Sequence, residues 1–476
     1  MRAKQTLISI AVVICVLIGF GMRLSGLTNP LADWHSWRQA DTASVAREYV
    51  KHGIDLLRPT YQDLSSIPSG KENPAGYRMV EFPLINGFVA WLFTTIPGLA
   101  NIEIHVIYRF VDIMLSLISA IMLYLILKRV ESSATGLFAL AAFLLLPYNV
   151  FYSRTVLPEV AMVTFSLAAV YVGIVYFEEK QLHQFVGTAL LAAVALLIKP
   201  VAIFLLFPLI PFAIQAYGWK KTFSWQHILL AFLAVIPLLL WRRWIVQFPE
   251  GIPASDWLYN GNSIRFKGAF FQWIFADRIG RIILGYWGLI PLAFGLLAKK
   301  KTNLPVWMVI SSLAYICIFA TGNVQHDYYQ IPIIPAISIL IAYGIQYLRR
   351  LPASGYARYT LMAVSIGFSL AFGWYHARGL FSVNNPAIVA AGKAIDQLAP
   401  ADALVIAPYS GDTAFLYQTN RRGWPIGGEI DKKIAAGATY YVTTSLDAEA
   451  KQLQSIYPTV ASESATSPYT IIHLAK

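Results

Sequence analysis

Phe82-Pro83-Leu84-Ile85-Asn86-Gly87-Phe88-Val89-Ala90-Trp91-Leu92-Phe93-Thr94-Thr95-Ile96 is the stretch whose reading decides the topology of this chain. It is apolar, yet shorter than the roughly 20 residues that a helix needs to cross a bilayer. It holds Asn86 and Gly87 and opens next to Glu81 at Pro83. Clearer apolar runs flank it. One ends near Met22, and others cover about 104–127, 134–151, 158–177, 184–199, 200–217, 225–242, 281–298, 304–321, 330–347 and 358–377. If 82–96 does not cross, then Lys128-Arg129, Lys180, Lys220-Lys221, Lys299-Lys300-Lys301 and Arg349-Arg350 all fall on the side of the N-terminus. Cytoplasmic loops show that enrichment in Lys and Arg. If it does cross, every one of those groups lands outside. The stretch therefore reads as an interfacial or re-entrant helix on the outer face. That gives eleven spans, with the N-terminus in the cytoplasm and the C-terminus outside.

Composition agrees. Of 476 residues, 57% are hydrophobic and only 13% charged, with a mean hydropathy of +0.56. A soluble domain carries about a quarter charged residues. The formal charge of +12 is spread in small groups between apolar runs rather than gathered in a basic groove, which argues against nucleic acid as a partner. Cys15 and Cys317 both sit inside apolar runs, so no disulfide framework or Cys-based metal site is available. The start, Met1-Arg2-Ala3-Lys4 and an apolar run of span length, lacks a small-x-small cleavage site and reads as an uncleaved first helix. From about residue 383, strands at 403–407, 439–443 and 470–473 alternate with helices at 388–398 and 446–456. The fold expected is thus a polytopic α-helical membrane protein of about eleven spans with outer juxtamembrane helices. Residues 1–380 form the membrane module, with residues 26–103 as its first outer loop, and residues 381–476 form a small soluble α/β domain.

On this topology the unusual polar residues converge on the outer rim, whereas a carrier keeps ionisable groups near the midplane. Asp41 is the leading candidate for a general base. Lipid and aromatic rings around a carboxylate raise its proton affinity, and Arg38 or Arg47 nearby lowers it. The same spacing fits a helix N-cap at Asp41-Thr42-Ala43-Ser44, and spacing alone does not separate the two readings. Glu159 follows Pro158 at the start of a span, where a helix dipole favours a negative charge; the functional alternative makes it a second catalytic carboxylate that orients the acceptor or the base. Lys199, before Pro200, and Arg38, with its forked guanidinium, suit a phosphate, while snorkelling to the surface explains Lys199 as well. Tyr328 and Tyr329 fit an aromatic belt at the membrane surface. His326 with Glu81 is the candidate pair for a metal, a weak signal from two ligands without a spacing motif. Trp34 and Trp37 fit interfacial anchors or a platform for a sugar ring.

At these residues the chain resembles the C-type glycosyltransferase superfamily. Within it, the chain is most similar to the branch of protein O-mannosyltransferases and bacterial lipid A aminoarabinose and galacturonic acid transferases. The resemblance covers about residues 5–350. It runs through His35-Ser36-Trp37-Arg38-Gln39-Ala40-Asp41-Thr42-Ala43, Glu81-Phe82-Pro83, Arg109, Arg154, Pro158-Glu159, Lys199-Pro200 and His326-Asp327-Tyr328-Tyr329-Gln330-Ile331-Pro332.

The resemblance implies a bacterial inner-membrane enzyme with a periplasmic C-terminal domain, using a polyprenyl-monophosphate-linked sugar and a glycan, lipid or protein acceptor. Asp41 stands in the place of the family's catalytic aspartate. Arg38, Lys199 and Tyr329 become candidates for the donor phosphate, and His35, Trp37, Gln39, Glu81 and His326 for substrate positioning. Two positions depart from the pattern. Phe82 replaces a lysine proposed in the aminoarabinose transferases to meet the lipid phosphate, and Glu159 replaces a more frequent aspartate. A monophosphate leaving group can be met by Arg and Lys alone, so a divalent metal is allowed but not required. Inversion at the anomeric carbon is expected. The competing readings are a transporter or flippase of lipid-linked sugars and a non-catalytic scaffold.

Overall fold

The computed structural model describes residues 2–463 and 468–474. Among the described residues, five helices are long and apolar enough to cross a membrane: Gln5–Arg23, Ile104–Val130, Pro158–Glu179, Trp225–Ile245 and Asp327–Leu348. Pro200–Leu206 with Leu209–Thr222, bent by 46°, makes a sixth if counted as one span. Three of the expected spans take the form of shorter apolar helices, Ser133–Leu145, Leu182–Ile198 and Leu304–Ile318. Pro147 cuts the first short of its expected end near 151, and Pro200 ends the second within a residue of the expected boundary, since the residue before a proline is driven out of the helical region. Residues 82–96 fold as a single helix, Leu84–Thr95. At 1.5 Å per residue its 12 residues reach about 18 Å, short of a hydrocarbon core of about 30 Å.

Contacts divide the chain into two compact units. The first is helical and comprises residues 2–25, Phe110–Arg243 and Ser255–Gly379. Within it, helices Leu289–Leu297 and Ile334–Leu348 cross at two glycines. A methyl group on Gly295 would collide with the Leu340 carbonyl, and one on Gly344 with the Pro291 carbonyl. The basic groups between helices gather at one end of this unit. Arg129 pairs with Glu178 and Glu179, Lys180 lies 4.3 Å from the Tyr217 ring centroid, and Lys301 donates to Glu131. Lys299–Lys301 and Arg350 line one cavity there.

The second unit comprises Gly26–Arg109, Trp244–Ala254 and the tail from Leu380. The tail is therefore not partitioned alone at residue 380; it shares a unit with the first polar loop. The cause is backbone pairing: Leu64 N donates to Gly423 O at 2.8 Å, and Gly423 N to Gln62 O at 2.9 Å. In this unit helix Ser36–His52 packs Val45 and Tyr49 against Ala90 of Leu84–Thr95 and against Tyr61.

The tail forms a five-stranded sheet from β1 (Leu404–Ile406), β2 (Arg422–Trp424), β3 (Ala438–Thr443), β4 (Thr459–Glu463) and β5 (Tyr469–His473). The order is β2-β1-β3-β5-β4; β1 is parallel to β2 and β3, while β5 is antiparallel to β3 and β4. Alternate strand residues face opposite sides of a sheet. Val405, Val442 and Ile471 accordingly bury against Ile388, Ala391 and Ile395 of helix Pro386–Leu398. Ile406, Tyr441 and Ile472 bury against Ala450 and Leu453 of helix Ala448–Ile456. The three strands and two helices expected from the sequence are present. β2 and the helices Thr413–Gln418 and Ile430–Ala435 have few residues to show a period, and β4, mostly exposed at the sheet edge, has no buried apolar alternation to mark it.

Candidate active site

Helix Ser36–His52 carries the central carboxylate. It starts after His35, whose φ of 55° is left-handed and whose side chain makes no capping bond. Asp41 therefore lies in the body of the helix, more than a turn past its start, and the N-cap reading is overturned: the cap position belongs to His35. Asp41 is 4% exposed. Its Oδ2 lies 2.9 Å from Nη2 of Arg78, and its Oδ1 accepts from Thr413 Oγ1 at 2.6 Å. Both carboxylate oxygens are thus held by fixed donors, one cationic and one neutral. Arg78 is 9% exposed and lies 5.0 Å from the Tyr61 ring centroid.

The cation on Asp41 is Arg78, rather than the Arg38 or Arg47 suggested by sequence proximity. Arg38, one turn away on the same helix, gives Nη2 to Glu81 and Nη1 to Thr42. Arg47 gives Nη1 to the Tyr417 carbonyl at 2.8 Å and Nη2 to Gln62 Oε1 at 2.6 Å. Two further acids feel the Asp41 charge. Burial pushes Asp63 up to about 6; the Ser65 N–H lowers it, and Asp41 raises it. Burial also pushes Asp412 up to about 6, again with Asp41 adding to the rise. Gln39 is fully buried and gives its amide to Asp33 at 2.7 Å, and Asp33 pairs with Arg109 at 3.0 Å with both side chains fully buried. Gln39 thus helps to fix the start of the helix. His35 and Trp37 are half-buried; the His35 ring sits edge-on to Trp34 at 5.1 Å, and the Trp37 carbonyl faces Thr413 Oγ1 at 3.2 Å.

A second cluster belongs to the helical unit. Pro158 opens helix Pro158–Glu179 and Glu159 occupies its first turn, where the dipole favours a negative charge. Pro200 forces Lys199 into an extended conformation (φ −157°, ψ 124°) at the end of Leu182–Ile198. Lys199 Nζ pairs with Glu159 and lies 5.3 Å from the Tyr329 ring centroid. Tyr329 and Tyr328 are buried; the Tyr329 carbonyl accepts from the Tyr315 hydroxyl at 2.9 Å. Asp327 accepts from the Tyr152 hydroxyl at 2.6 Å, and its carbonyl from Tyr148. His326 stacks on Tyr328 and Tyr329 and meets Trp257 edge-on. Asp112, fully buried on Ile104–Val130, lies within electrostatic reach of Glu159.

The sequence-derived candidates thus fall into two groups. Asp41, Arg38, Glu81, His35, Trp37 and Gln39 belong to one unit, and Glu159, Lys199, Tyr329 and His326 to the other. Sequence reasoning missed Arg78, Thr413, Asp63, Asp412 and Asp112. Arg78 and Asp63 sit in the polar first loop with no helical or strand period to mark them. Among the described residues, no group of three or more His, Cys, Asp or Glu side chains is placed to hold a metal ion.

Residues 82–241 match a family model described as dolichyl-phosphate-mannose-protein mannosyltransferase. No curated protein matches the chain. Among solved structures, ArnT from Cupriavidus metallidurans in the apo state is similar with a TM-score of 0.65 and 12% identity, over 99% of this chain and 98% of that one. The same protein bound to undecaprenyl phosphate gives a TM-score of 0.64 and 12% identity, over 97% of each chain. The oligosaccharyltransferase AglB from Archaeoglobus fulgidus, in complex with an inhibitory peptide and a dolichol-phosphate, gives 0.55 and 10%, over 93% of this chain and 70% of that one. The resemblance read from the sequence is thereby borne out: the chain has the fold of ArnT and AglB, and its residues 82–241 match the protein mannosyltransferase model.

Proposed function

We propose that this chain is a multi-pass membrane glycosyltransferase that moves a sugar from a polyprenyl-monophosphate donor to a hydroxyl or phosphate group of an acceptor. The observation that carries the reading is the buried Asp41 carboxylate, held at both oxygens, in a chain with the fold of ArnT. Among the solved structures with this fold, one holds undecaprenyl phosphate and another a dolichol-phosphate, which favours a lipid-linked donor over the flippase alternative.

In the proposed reaction Asp41 takes the proton of an acceptor hydroxyl. That oxygen attacks the anomeric carbon as the bond to the lipid phosphate breaks, and the phosphate departs with the bonding electrons. Arg38 is the cation proposed to stabilise the departing phosphate, and Lys199 with Tyr329 is proposed as a phosphate-binding group of the helical unit. Attack from the face opposite the leaving group inverts the anomeric configuration.

The gathering of Lys128-Arg129, Lys180 and Lys299–Lys301 at one end of the helical unit supports a cytoplasmic face there. The reading places the protein in the inner membrane, with the N-terminus inside and the tail in the periplasm. Purified protein is to be assayed with undecaprenyl-phosphate-linked mannose and undecaprenyl-phosphate-linked aminoarabinose against envelope extract. Released undecaprenyl phosphate is followed by mass spectrometry and the product's anomeric configuration by NMR. The wild type is expected to turn over one donor with inversion, and Asp41→Asn to fold but lose at least about 100-fold in rate. Near-normal turnover by Asp41→Asn overturns the assignment of the base.

A further inference from the structure

Thr413, the first residue of helix Thr413–Gln418, belongs to the C-terminal tail, 372 positions from Asp41, yet its hydroxyl meets Asp41 Oδ1 at 2.6 Å. A hydroxyl has one proton to give. The Trp37 carbonyl, at 3.2 Å, is the longer and uncharged competitor, so the proton goes to the carboxylate. Thr413 is itself fixed. Its carbonyl accepts from Gln62 Nε2 at 3.0 Å, Gln62 is fully buried, and the Gln62 Oε1 accepts from Arg47. Asp412 next to it accepts from Ala414 N at 2.7 Å, which pins the turn that presents the hydroxyl. A chain of contacts from Arg47 through Gln62 to Thr413 thus ends on one oxygen of Asp41, while Arg78 holds the other.

We propose that Thr413 is a positioning residue for the Asp41 carboxylate, so that the C-terminal module completes the reaction centre. This rests on the reading of Asp41 as the base. The hydroxyl fixes the direction in which Asp41 presents its remaining lone pairs. The other charged groups that face or neighbour Asp41 are Arg78, Asp63, Asp412 and, on its own helix, Arg38.

The test uses the full-length protein and whichever of the two donors named above the wild type turns over. Thr413→Val keeps the shape and removes the donor; Thr413→Ser keeps the donor. The valine variant is expected to lose about 10- to 100-fold in kcat with donor KM within about twofold. Thr413→Ser should restore kcat. Should the valine variant not yield folded protein, Thr413→Ala is read in its place. A wild-type kcat in the folded variant, while Asp41→Asn is inactive, overturns the role of Thr413 alone. An active Asp41→Asn removes the assignment of the base, and this inference with it.

Discussion

Replacing Arg78 by methionine tests the electrostatics of the first unit most directly. Arg78 and Asp41 are 9% and 4% exposed and 2.9 Å apart, so the substitution leaves a carboxylate in a site with almost no water. Removing one partner of a buried ion pair costs about 3–5 kcal/mol, mostly from the charge left behind. Arg47→Met is the internal control. Arg47 donates to a carbonyl and an amide oxygen, with no carboxylate to strand, and loss of such bonds costs about 1–3 kcal/mol. The assay is thermal unfolding of detergent-solubilised protein at pH 7.5, followed by tryptophan fluorescence, for wild type, Arg78→Met, Arg47→Met, Asp41→Asn and Arg78→Met/Asp41→Asn. Arg78→Met should unfold at the lowest temperature of the single variants. Adding Asp41→Asn should recover at least half of that loss, because the stranded charge is gone. An Arg78→Met midpoint equal to that of Arg47→Met, or no recovery in the double variant, refutes the reasoning.

Two further expectations concern stability. Burial raises Asp63 to about 6, so between about pH 4 and 6 the folded chain keeps a proton that the unfolded chain has released; the contribution of this one group to stability therefore falls as pH rises through that window, by on the order of 3 kcal/mol. Asp63→Asn should remove that contribution, so that its unfolding midpoint relative to wild type rises between pH 4 and 6; an unchanged slope would remove Asp63 as its source. Gly344→Ala should lower the yield of folded protein and cost upwards of about 1–3 kcal/mol, since its methyl meets the Pro291 carbonyl. Gly367→Ala, on helix Gly355–Ala377 with no atom within 4 Å of the added carbon, should be neutral or slightly stabilising, and equal losses in both would contradict the packing argument.

The parts of the fold that rest on local period were legible in advance. Apolar runs named most helices, and the helix Leu84–Thr95 was bounded correctly because length and flanking Glu81 and Pro83 are local facts. Span lengths were less legible. Pro147 ends a helix early, which shortens the span expected at 134–151 to 13 residues, whereas Pro200 ends Leu182–Ile198 within a residue of the expected boundary. The boundary near residue 380 was visible, but the union of the tail with the first polar loop was not. Gly423 pairs with Gln62 and Leu64 across more than 350 positions, and nothing in either segment announces the other.

By itself the sequence determined the class of molecule, the helical character and the candidacy of Asp41, Arg38, Glu159 and Lys199, because charge is rare and costly in so apolar a chain. Only the tertiary structure decided what each charge faces: Arg78 and Thr413 on Asp41, Glu81 on Arg38, Glu159 on Lys199. Hydropathy and spacing report whether a group can be buried, whereas its partner is set by which distant backbone segments pair and pack beside it.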